Sequence, residues 1–304
     1  MIKCHRHAPG AILLCCTVIF AGGCAALRKP KIVSESIATS RQLSRDGVAA
    51  MDMGDSETAK SLLSKAVDTS PTDIEARRHL AEVLWQQNNQ RDAVVHLEAA
   101  VRLDPTHAPT VVRSGEMLLE IGATDSAAER AEQALSLDAS LATAWALRGR
   151  VYRKKGDQAR ALADLQQSLR YSPHMCGVLY EVAEIQYQLG RPQRSLMTLH
   201  QLLDTYANGE EPQHVLWLEG LSYQAVERHQ DAAVSLATAS QRGQPQAELL
   251  YHLAQAEQAV GNSAAAVSSV KQALALDSGH QASQTLLAHL QSTTAPHSGG
   301  IIRR

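Results

Sequence analysis

Residues 142–175 read ATAWALRGRVYRKKGDQARALADLQQSLRYSPHM, and the pattern of this 34-residue segment recurs along most of the chain. Its Ala161 has a small counterpart in each of seven units, and every spacing but one is 34 residues. These small residues are Ala59, Ala93, Ala127, Ala161, Ser195, Ala232 and Ala266. A second row of small residues stands twelve positions earlier in each unit, from Gly47 to Ala254. A repeat of this length predicts an array of stacked structural units.

Each unit has the pattern of two helices joined by a turn. In the first helix the apolar positions 4, 7, 8 and 11 share one stripe at about 100° per residue, as packing along one side requires. The second helix repeats this logic with Ala161 and Leu165. Between the two helices stands Gly156, which can adopt the left-handed conformation that ends a helix, and Asp157 suits the start of the next one.

This pattern resembles the tetratricopeptide repeat family, whose consensus has Trp, Leu, Gly and Tyr on the first helix and Ala, Phe, Ala and Pro on the second. The fourth unit carries the resemblance with Trp145, Gly149, Tyr152, Ala161, Leu165, Ser168 and Pro173. Departures are Arg148 in place of the usual Leu, a short Ala131 and an oversized Leu202. The resemblance implies an all-α fold: a right-handed solenoid of seven helical hairpins plus a C-terminal capping helix.

The pattern also predicts how the chain is divided. We expect a signal peptide at 1–23, a lipidated Cys and tether at 24–39, the solenoid at 40–292 and a disordered tail at 293–304. The predicted repeats are 40–73, 74–107, 108–141, 142–175, 176–209, 213–246 and 247–280, followed by a cap at 281–292. The extra Glu210-Glu211-Pro212 suggests a hinge between a five-repeat and a two-repeat block.

The N-terminus has the features of an export signal. Lys3 and Arg6 precede an apolar stretch at 11–21, which is too short to span a bilayer as a helix. The following Ala21-Gly22-Gly23-Cys24 resembles the lipobox of bacterial lipoproteins, although that box prefers Leu or Val where Ala21 stands. The resemblance implies acylation of Cys24, and Ala25 after it implies the outer membrane, facing the periplasm. A plain secretory signal cut near Ala26 and an uncleaved anchor are the alternatives.

Two further features bear on the exported chain. The basic run at 28–31 either touches anionic headgroups or belongs to a flexible spacer that holds the array off the membrane. After export, Cys176 is the one thiol left without lipid, and we expect it to pack as a small apolar residue.

Composition and motifs argue against several classes of function. A net charge of −2, with acidic and basic residues interspersed, disfavours nucleic-acid binding. The sequence contains no HExxH arrangement, no Gly-rich phosphate loop and no GxSxG elbow. We therefore predict a non-enzymatic protein with no cofactor, no metal and no small-molecule substrate.

Candidate binding residues lie away from the packing stripe, at positions 2, 5, 9 and 12 of the first helix. Five aromatic residues occupy positions 5 or 12, namely Trp85, Tyr180, Tyr187, Trp217 and Tyr251, and the cations Arg150, Arg153 and Lys154 lie on or beside the same stripe. In the resembled family this stripe lines the concave groove that holds partner peptides. Aromatic rings offer large, stiff contact area for such binding. Alternatively, the rings fill contacts between successive first helices and the cations form a solvated charge run.

The sequence thus predicts a membrane-anchored scaffold that binds protein or peptide segments in its groove. It resembles the pilotin-like tetratricopeptide lipoproteins that assist assembly of a secretin or type IV pilus. Two alternatives stay open: an adaptor that joins envelope proteins through the opposite, convex face, and a regulatory subunit of an envelope enzyme system for glycan synthesis or glycosyl transfer, with no catalysis of its own.

Overall fold

The structure, a computed structural model, describes residues 30–294, and this part of the chain is helical without any strand. Its helices are α1 (Pro30–Asp52), α2 (Ser56–Thr69), α3 (Ile74–Gln86), α4 (Gln90–Leu103), α5 (Ala108–Glu120), α6 (Thr124–Leu137), α7 (Ala142–Lys154), α8 (Gln158–Tyr171), α9 (Cys176–Gln188), α10 (Pro192–Leu203), α11 (Gln213–Ala225), α12 (His229–Gln241), α13 (Ala247–Ala259), α14 (Ser263–Leu276) and α15 (Gln281–Thr294). The all-α prediction is confirmed. The predicted signal peptide, Cys24 and residues 295–304 of the predicted tail lie outside the described residues.

The described residues form two compact units, one through Ala76 and one from Arg77. In the first unit α1 packs against α2. In the second unit α5 and α6, α7 and α8, α9 and α10, α11 and α12, and α13 and α14 pack as hairpins. Each hairpin also contacts the next through its second helix, and α14 contacts α15. Among residues 30–294 no helix is both long and apolar enough to cross a membrane.

The row of small residues lies where the helices approach most closely. All seven members, from Ala59 to Ala266, are fully buried. The second row, from Gly47 to Ala254, is also small because the helices are close. A Cβ added to Gly149 would lie 2.9 Å from Cγ of Leu165 on the facing helix. Small residues are therefore required at these places because a larger side chain would push the helices apart.

The turns inside the hairpins confirm the predicted chemistry. Gly156 has a φ of +82°, and the Asp157 side chain accepts a hydrogen bond of 3.0 Å from the backbone N–H of Arg160. The sixth hairpin departs from this pattern because Glu227 stands in the glycine slot and adopts a φ of +61°. An L-residue with a Cβ is strained in this conformation.

Replacing Glu227 by Gly is therefore expected to stabilise the protein. The left-handed conformation costs an L-residue roughly 1–2 kcal/mol, and the added flexibility of glycine in the unfolded chain offsets part of the gain. We expect a net increase of about 0.5–1 kcal/mol in the free energy of unfolding, measured by urea denaturation. Asn88→Gly is the matched control: Asn88 has the same φ of +61°, but asparagine tolerates it better, so the gain should be smaller. A loss of stability in Glu227→Gly would contradict this explanation.

The N-terminal helix is longer than the repeat predicts. The sequence predicts a tether up to Thr39, but α1 begins at Pro30, so residues 30–39 are helical. Proline suits the first position of a helix, and neither Gly nor Pro occurs between Lys31 and Asp46 to interrupt it. Repeat spacing could not show this extension because it lies outside the 34-residue period.

The insertion between α10 and α11 is held by hydrogen bonds. The Glu211 carboxylate accepts from the backbone N–H of Gly209 at 3.0 Å and pairs with Arg242, just after α12, at 3.1 Å. Gln213 donates to the carbonyl oxygens of Ala239 and Gln244, both at 3.2 Å. These contacts tie the insertion to the sixth hairpin, and hinge motion there stays a prediction.

Candidate functional site

The first helices of the hairpins in the second unit lie side by side, and their positions 2, 5, 9 and 12 form what we call the first-helix face. Contacts between α5 and α7, between α9 and α11, and between α11 and α13 build this face directly. The small residues at position 8 point the opposite way, into the hairpin. The face is therefore free of the packing stripe, as the sequence predicts.

A row of ion pairs runs from helix to helix along one part of this face and includes position 6 beside it. Arg113 of α5 donates to both carboxylate oxygens of Glu82 on α3, each at 2.8 Å, and lies 3.3 Å from Glu116 of its own helix. Arg150 of α7 lies 3.5 Å from Glu116 and 2.8 Å from Glu181 of α9. Arg153 of α7 also pairs with α9, through Glu184. We call these seven residues the ion-pair row.

Two of the three cationic residues predicted to bind a ligand, Arg150 and Arg153, belong to the ion-pair row. Burial opposes the charge of Arg150, but its bonds to Glu181 prevail, so its pKa is raised and the guanidinium stays charged. Arg150 and Arg153 are thus engaged by carboxylates of the chain itself, while Lys154 is exposed. A role for these cations in binding a ligand stays a prediction. The sequence did not reveal the row because Arg113 and Glu181 occupy position 6, outside the stripe.

A second part of the face, on α9, α11 and α13, forms an open cleft of about 390 Å³, which His229 at the start of α12 also lines. Its lining carries no Asp, Glu, Lys or Arg, and we call it the neutral cleft. The lining residues are Tyr187, Leu221, Gln224, Ala225, His229, His252, Gln255 and Ala259. Ala225 and Ala259 are exposed, so the cleft reaches the surface.

Hydrogen bonds hold the polar groups of the cleft in place. Gln224 Nε2 donates to the carbonyl oxygen of His252 at 2.9 Å, and Gln255 Nε2 donates to the hydroxyl of Tyr251 at 2.8 Å. Gln255 Oε1 lies 3.2 Å from Nδ1 of His252. Burial lowers the pKa of His252, and the nearby Glu248 carboxylate only partly offsets this effect. The imidazole of His252 therefore favours its neutral form, and the Gln224 and Gln255 amides are fixed by their hydrogen bonds.

A carboxylate borders the cleft through its contact with His252. Glu248 of α13 lies 3.2 Å from Nε2 of His252 and 2.7 Å from Nε2 of His280, just before α15. The Nδ1 of His280 lies 2.7 Å from the Ser283 hydroxyl. Within residues 30–294 no group of three or more His, Cys, Asp or Glu side chains is placed to hold a metal ion.

The structure separates the predicted aromatics into different roles. Tyr187 lines the cleft. Tyr180 packs edge-on against the His214 ring of α11 with centroids 4.7 Å apart, and burial raises its pKa. Tyr251 contacts the rings of His252 and His280, at 5.3 and 5.5 Å. The alternative interpretation, contacts between neighbouring elements, therefore describes Tyr180 and Tyr251.

The two tryptophans among the predicted site residues lie outside the cleft lining. Trp217 packs against the apolar cluster formed by α10 to α14, and no acceptor in the described part of the chain bonds its buried Nε1. Trp85 is half-buried on α3, far along the chain from the cleft. Sequence reasoning chose aromatics and so missed the stripe residues Leu221, Gln224 and Gln255. A search of positions 9 and 12 for uncharged residues would have found all three.

Comparison with known proteins agrees with this architecture. Sequence profiles described as tetratricopeptide repeat match residues 46–108, 142–175, 178–209 and 247–280, together more than half of the chain. No curated protein is significantly similar in sequence.

Solved structures show the same fold at low sequence identity. A tetratricopeptide repeat protein from Parabacteroides merdae is 15% identical, with a TM-score of 0.58 over 84% of this chain and 99% of that one. YrrB, described as having an unusual peptide-binding site, is 17% identical, with a TM-score of 0.56 over 62% and 96% of the two chains. PilF of Pseudomonas aeruginosa is 18% identical, with a TM-score of 0.51 over 84% and 99%. With the repeat profiles and the all-helical hairpins in agreement, the chain belongs to the tetratricopeptide repeat family.

Proposed function

We propose that the protein is an interaction scaffold that holds a segment of a partner protein in the neutral cleft. The tetratricopeptide fold is typical of non-catalytic scaffolds for protein–protein interaction. The observation that carries the proposal is the 390 Å³ cleft across three consecutive first helices, with its positioned Gln amides.

The cleft residues have different roles in the proposed binding. The Tyr187 ring supplies stiff contact area, which costs little conformational entropy when a partner binds. Gln224 and Gln255 offer amide groups that match the hydrogen-bonding groups of a peptide backbone. Leu221, Ala225 and Ala259 add apolar surface to the lining. This combination of one aromatic anchor with fixed polar groups is typical of recognition sites.

We further propose that Cys24 carries the acyl chains that attach the protein to the outer membrane, with the array in the periplasm. The basic residues, apolar stretch and Ala-Gly-Gly-Cys sequence at the N-terminus support this proposal. Anchoring raises the local concentration of the cleft near membrane partners. The resemblance to pilotin-like lipoproteins favours a component of a secretin or type IV pilus as the partner.

Site-specific crosslinking in intact cells tests the scaffold function. A photoreactive residue at Ala225 or at Ala259 should capture the same partner, because both positions border the cleft. The matched control is Ala163, which is exposed on α8, outside the cleft. Tyr187→Ala should reduce the yield at position 259 by about 5- to 30-fold, as expected for loss of an aromatic anchor worth roughly 1–2 kcal/mol.

The same cells distinguish the alternatives. Equal capture from Ala163, unaffected by Tyr187→Ala, would instead support an adaptor that binds through the second helices. Cys24→Ser should remove incorporated palmitate and release the protein from the membrane fraction; a variant that stays membrane-bound would contradict the lipid anchor. Turnover of a glycan substrate by the purified protein would overturn the assignment as a non-catalytic scaffold.

A further inference from the structure

Residues 295–304 follow α15 and lie outside the described part of the chain. They read APHSGGIIRR, and we call them the Ile-Arg segment. The segment joins two large aliphatic side chains, Ile301 and Ile302, to two cations, Arg303 and Arg304. Isoleucine gains from burial against apolar surface, and arginine gains from a carboxylate partner.

Helix α15 leads toward the neutral cleft. His280, just before α15, lies 2.7 Å from Glu248 at the start of α13. Further along α15, Leu290 is buried in one apolar cluster with Ala254 of α13. α15 therefore runs in the same direction as α13, and its end lies beside the end of α13, where Ala259 lines the cleft.

The Ile-Arg segment is long enough to enter the cleft. Packed helices lie about 8–10 Å apart, so residues 295–298 can cross from α15 to α13 at roughly 3.3 Å per residue. Gly299-Gly300 can then reverse the direction of the chain. From there residues 301–304 can follow α13 backwards for about 10 Å. The separation of Gln255 and Glu248 along the helix is also about 10 Å, at about 1.5 Å per residue.

The lining near the end of α13 suits the two isoleucines. Leu221, Ala225 and Ala259 contribute apolar surface, and Tyr187 adds an aromatic ring. Ala225 and Ala259 are exposed, so a covering aliphatic side chain removes apolar surface from water.

A carboxylate without a cation lies further back on the same helix. Glu248 is 53% exposed, and its described partners are the imidazoles of His252 and His280. Burial lowers the pKa of His252, and Nδ1 of His280 accepts the backbone N–H of Ser283 at 3.2 Å, so neither ring brings a net charge. Positions 2, 5, 9 and 12 of α9, α11, α13 and α15 carry no Lys or Arg. Glu248 therefore attracts a guanidinium group, which can form two parallel hydrogen bonds with a carboxylate.

We infer that the Ile-Arg segment occupies the neutral cleft of its own chain, with Ile301 and Ile302 on the apolar lining and Arg303 and Arg304 at Glu248. A partner segment has to displace it, so the scaffold inhibits its own binding site. The inhibition rests on the proposed function, whereas docking of the segment does not.

Photo-crosslinking within the purified full chain, kept in detergent, tests the docking. A photoreactive residue at Ala259 should link to the Ile-Arg segment of the same molecule, and peptide mass spectrometry identifies the link. The matched control is Ala163, which is exposed on α8 outside the cleft and should give no such link. Links found only in dimers would place the segment on a second copy and overturn the inference, as would the absence of any link from Ala259.

A fluorescent synthetic peptide, APHSGGIIRR, measures the same interaction between molecules. It should bind a protein truncated after Thr294 at least about fivefold more tightly than the full chain, because the attached segment competes at an effective concentration on the order of 1 mM. The full chain with Ile301→Ser and Ile302→Ser should bind the peptide as the truncated protein does. Both proteins must retain their helical circular dichroism.

Charge substitutions locate the arginines. Glu248→Gln in the truncated protein should weaken peptide binding by about 2- to 5-fold, as expected for a partly exposed ion pair. A peptide with Arg303→Gln and Arg304→Gln should be insensitive to Glu248→Gln, because the interaction is already absent. The matched control Glu129→Gln removes the same charge from an exposed position on α6 and should have no effect. Unchanged binding in Glu248→Gln would contradict the assigned position of the arginines.

Failure of the inference can be distinguished from failure of the proposed function. Equal binding of the peptide to the full and truncated proteins overturns the docking, while partner capture from Ala259 in cells would still support the scaffold. If the segment docks but the truncated protein captures no partner in cells, the proposed function fails and the docking stands. If both are correct, truncation should raise partner capture by at least about threefold, because the competing segment is gone.

Discussion

Replacing Leu236 by Ala is expected to lower the free energy of unfolding by about 2–5 kcal/mol. Leu236 lies on α12, is fully buried and fills the space beside Gly220 of α11. A Cβ added to Gly220 would lie 2.5 Å from Cγ and 2.7 Å from Cδ2 of Leu236. The substitution therefore leaves a cavity between two helices that approach closely at this point. Urea denaturation followed by circular dichroism measures the loss.

A double-mutant cycle tests this explanation. Gly220→Ala alone should destabilise the protein by about 1–3 kcal/mol through overpacking against Leu236. When Gly220→Ala is combined with Leu236→Ala, the new methyl group enters the vacated space. The double variant should therefore lose less stability than the sum of the two single losses. The control Val234→Ala, exposed on the same helix, should change stability by no more than about 0.5 kcal/mol. Additive effects, or a loss below about 1 kcal/mol in Leu236→Ala, would count against the packing argument.

Restoring the family's usual Leu at position 148 is expected to destabilise this chain by about 2–4 kcal/mol. Arg148 bonds Asp164 of α8 through Nε at 2.7 Å and Nη2 at 3.1 Å, and the Asp164 side chain is 10% exposed. Arg148 also lies 3.1 Å from Glu132 of α6. Removal of the guanidinium leaves the Asp164 carboxylate almost buried without its partner. Removing one partner of a fully buried ion pair lowers the stability of a protein by about 3–5 kcal/mol, and the partial exposure of this pair reduces that figure.

The compensating variant separates charge from packing. Arg148→Leu with Asp164→Ala should recover most of the stability, because an apolar pair often replaces a buried ion pair without loss. The control Arg160→Leu breaks an exposed pair with Asp157 and should cost less than about 1 kcal/mol. Thermal unfolding of these three variants and of the parent protein measures the differences. Full stability in Arg148→Leu alone would show that the pair contributes nothing.

Arg148 illustrates what repeat spacing can reveal about a site. The sequence marks it as a departure from the family pattern. The structure supplies the reason, because Arg148 forms ion pairs with Asp164 and Glu132 on two other helices. The same limit applies to Arg150 and Arg153. Their place on or beside the stripe at positions 2, 5, 9 and 12 is readable from the sequence, but their partner carboxylates on α9 lie 31 residues further along the chain. Whether a surface cation is available to a ligand depends on such distant neighbours.

The cleft contains residues that the sequence alone does not single out. Tyr187 is recognisable as a candidate from its position alone, whereas Gln224 and Gln255 are common surface residues with no motif of their own. They become candidates because α9, α11 and α13 place them around one open cleft with Tyr187. Likewise, the strain at Glu227 appears only once its φ is known, although the sequence shows that a glycine slot is occupied by another residue.

The sequence by itself determined the repeat, its helical hairpins, the small residues at their contacts and the stripe that faces away from the packing. These follow from local rules, namely a period of 34 residues, helical periodicity and the steric needs of turns. Only the tertiary structure decided which stripe residues pair with one another, which rings are used in packing and where an uncharged cleft remains. Those outcomes depend on side chains that are distant along the chain but adjacent in space, and no local pattern encodes that adjacency.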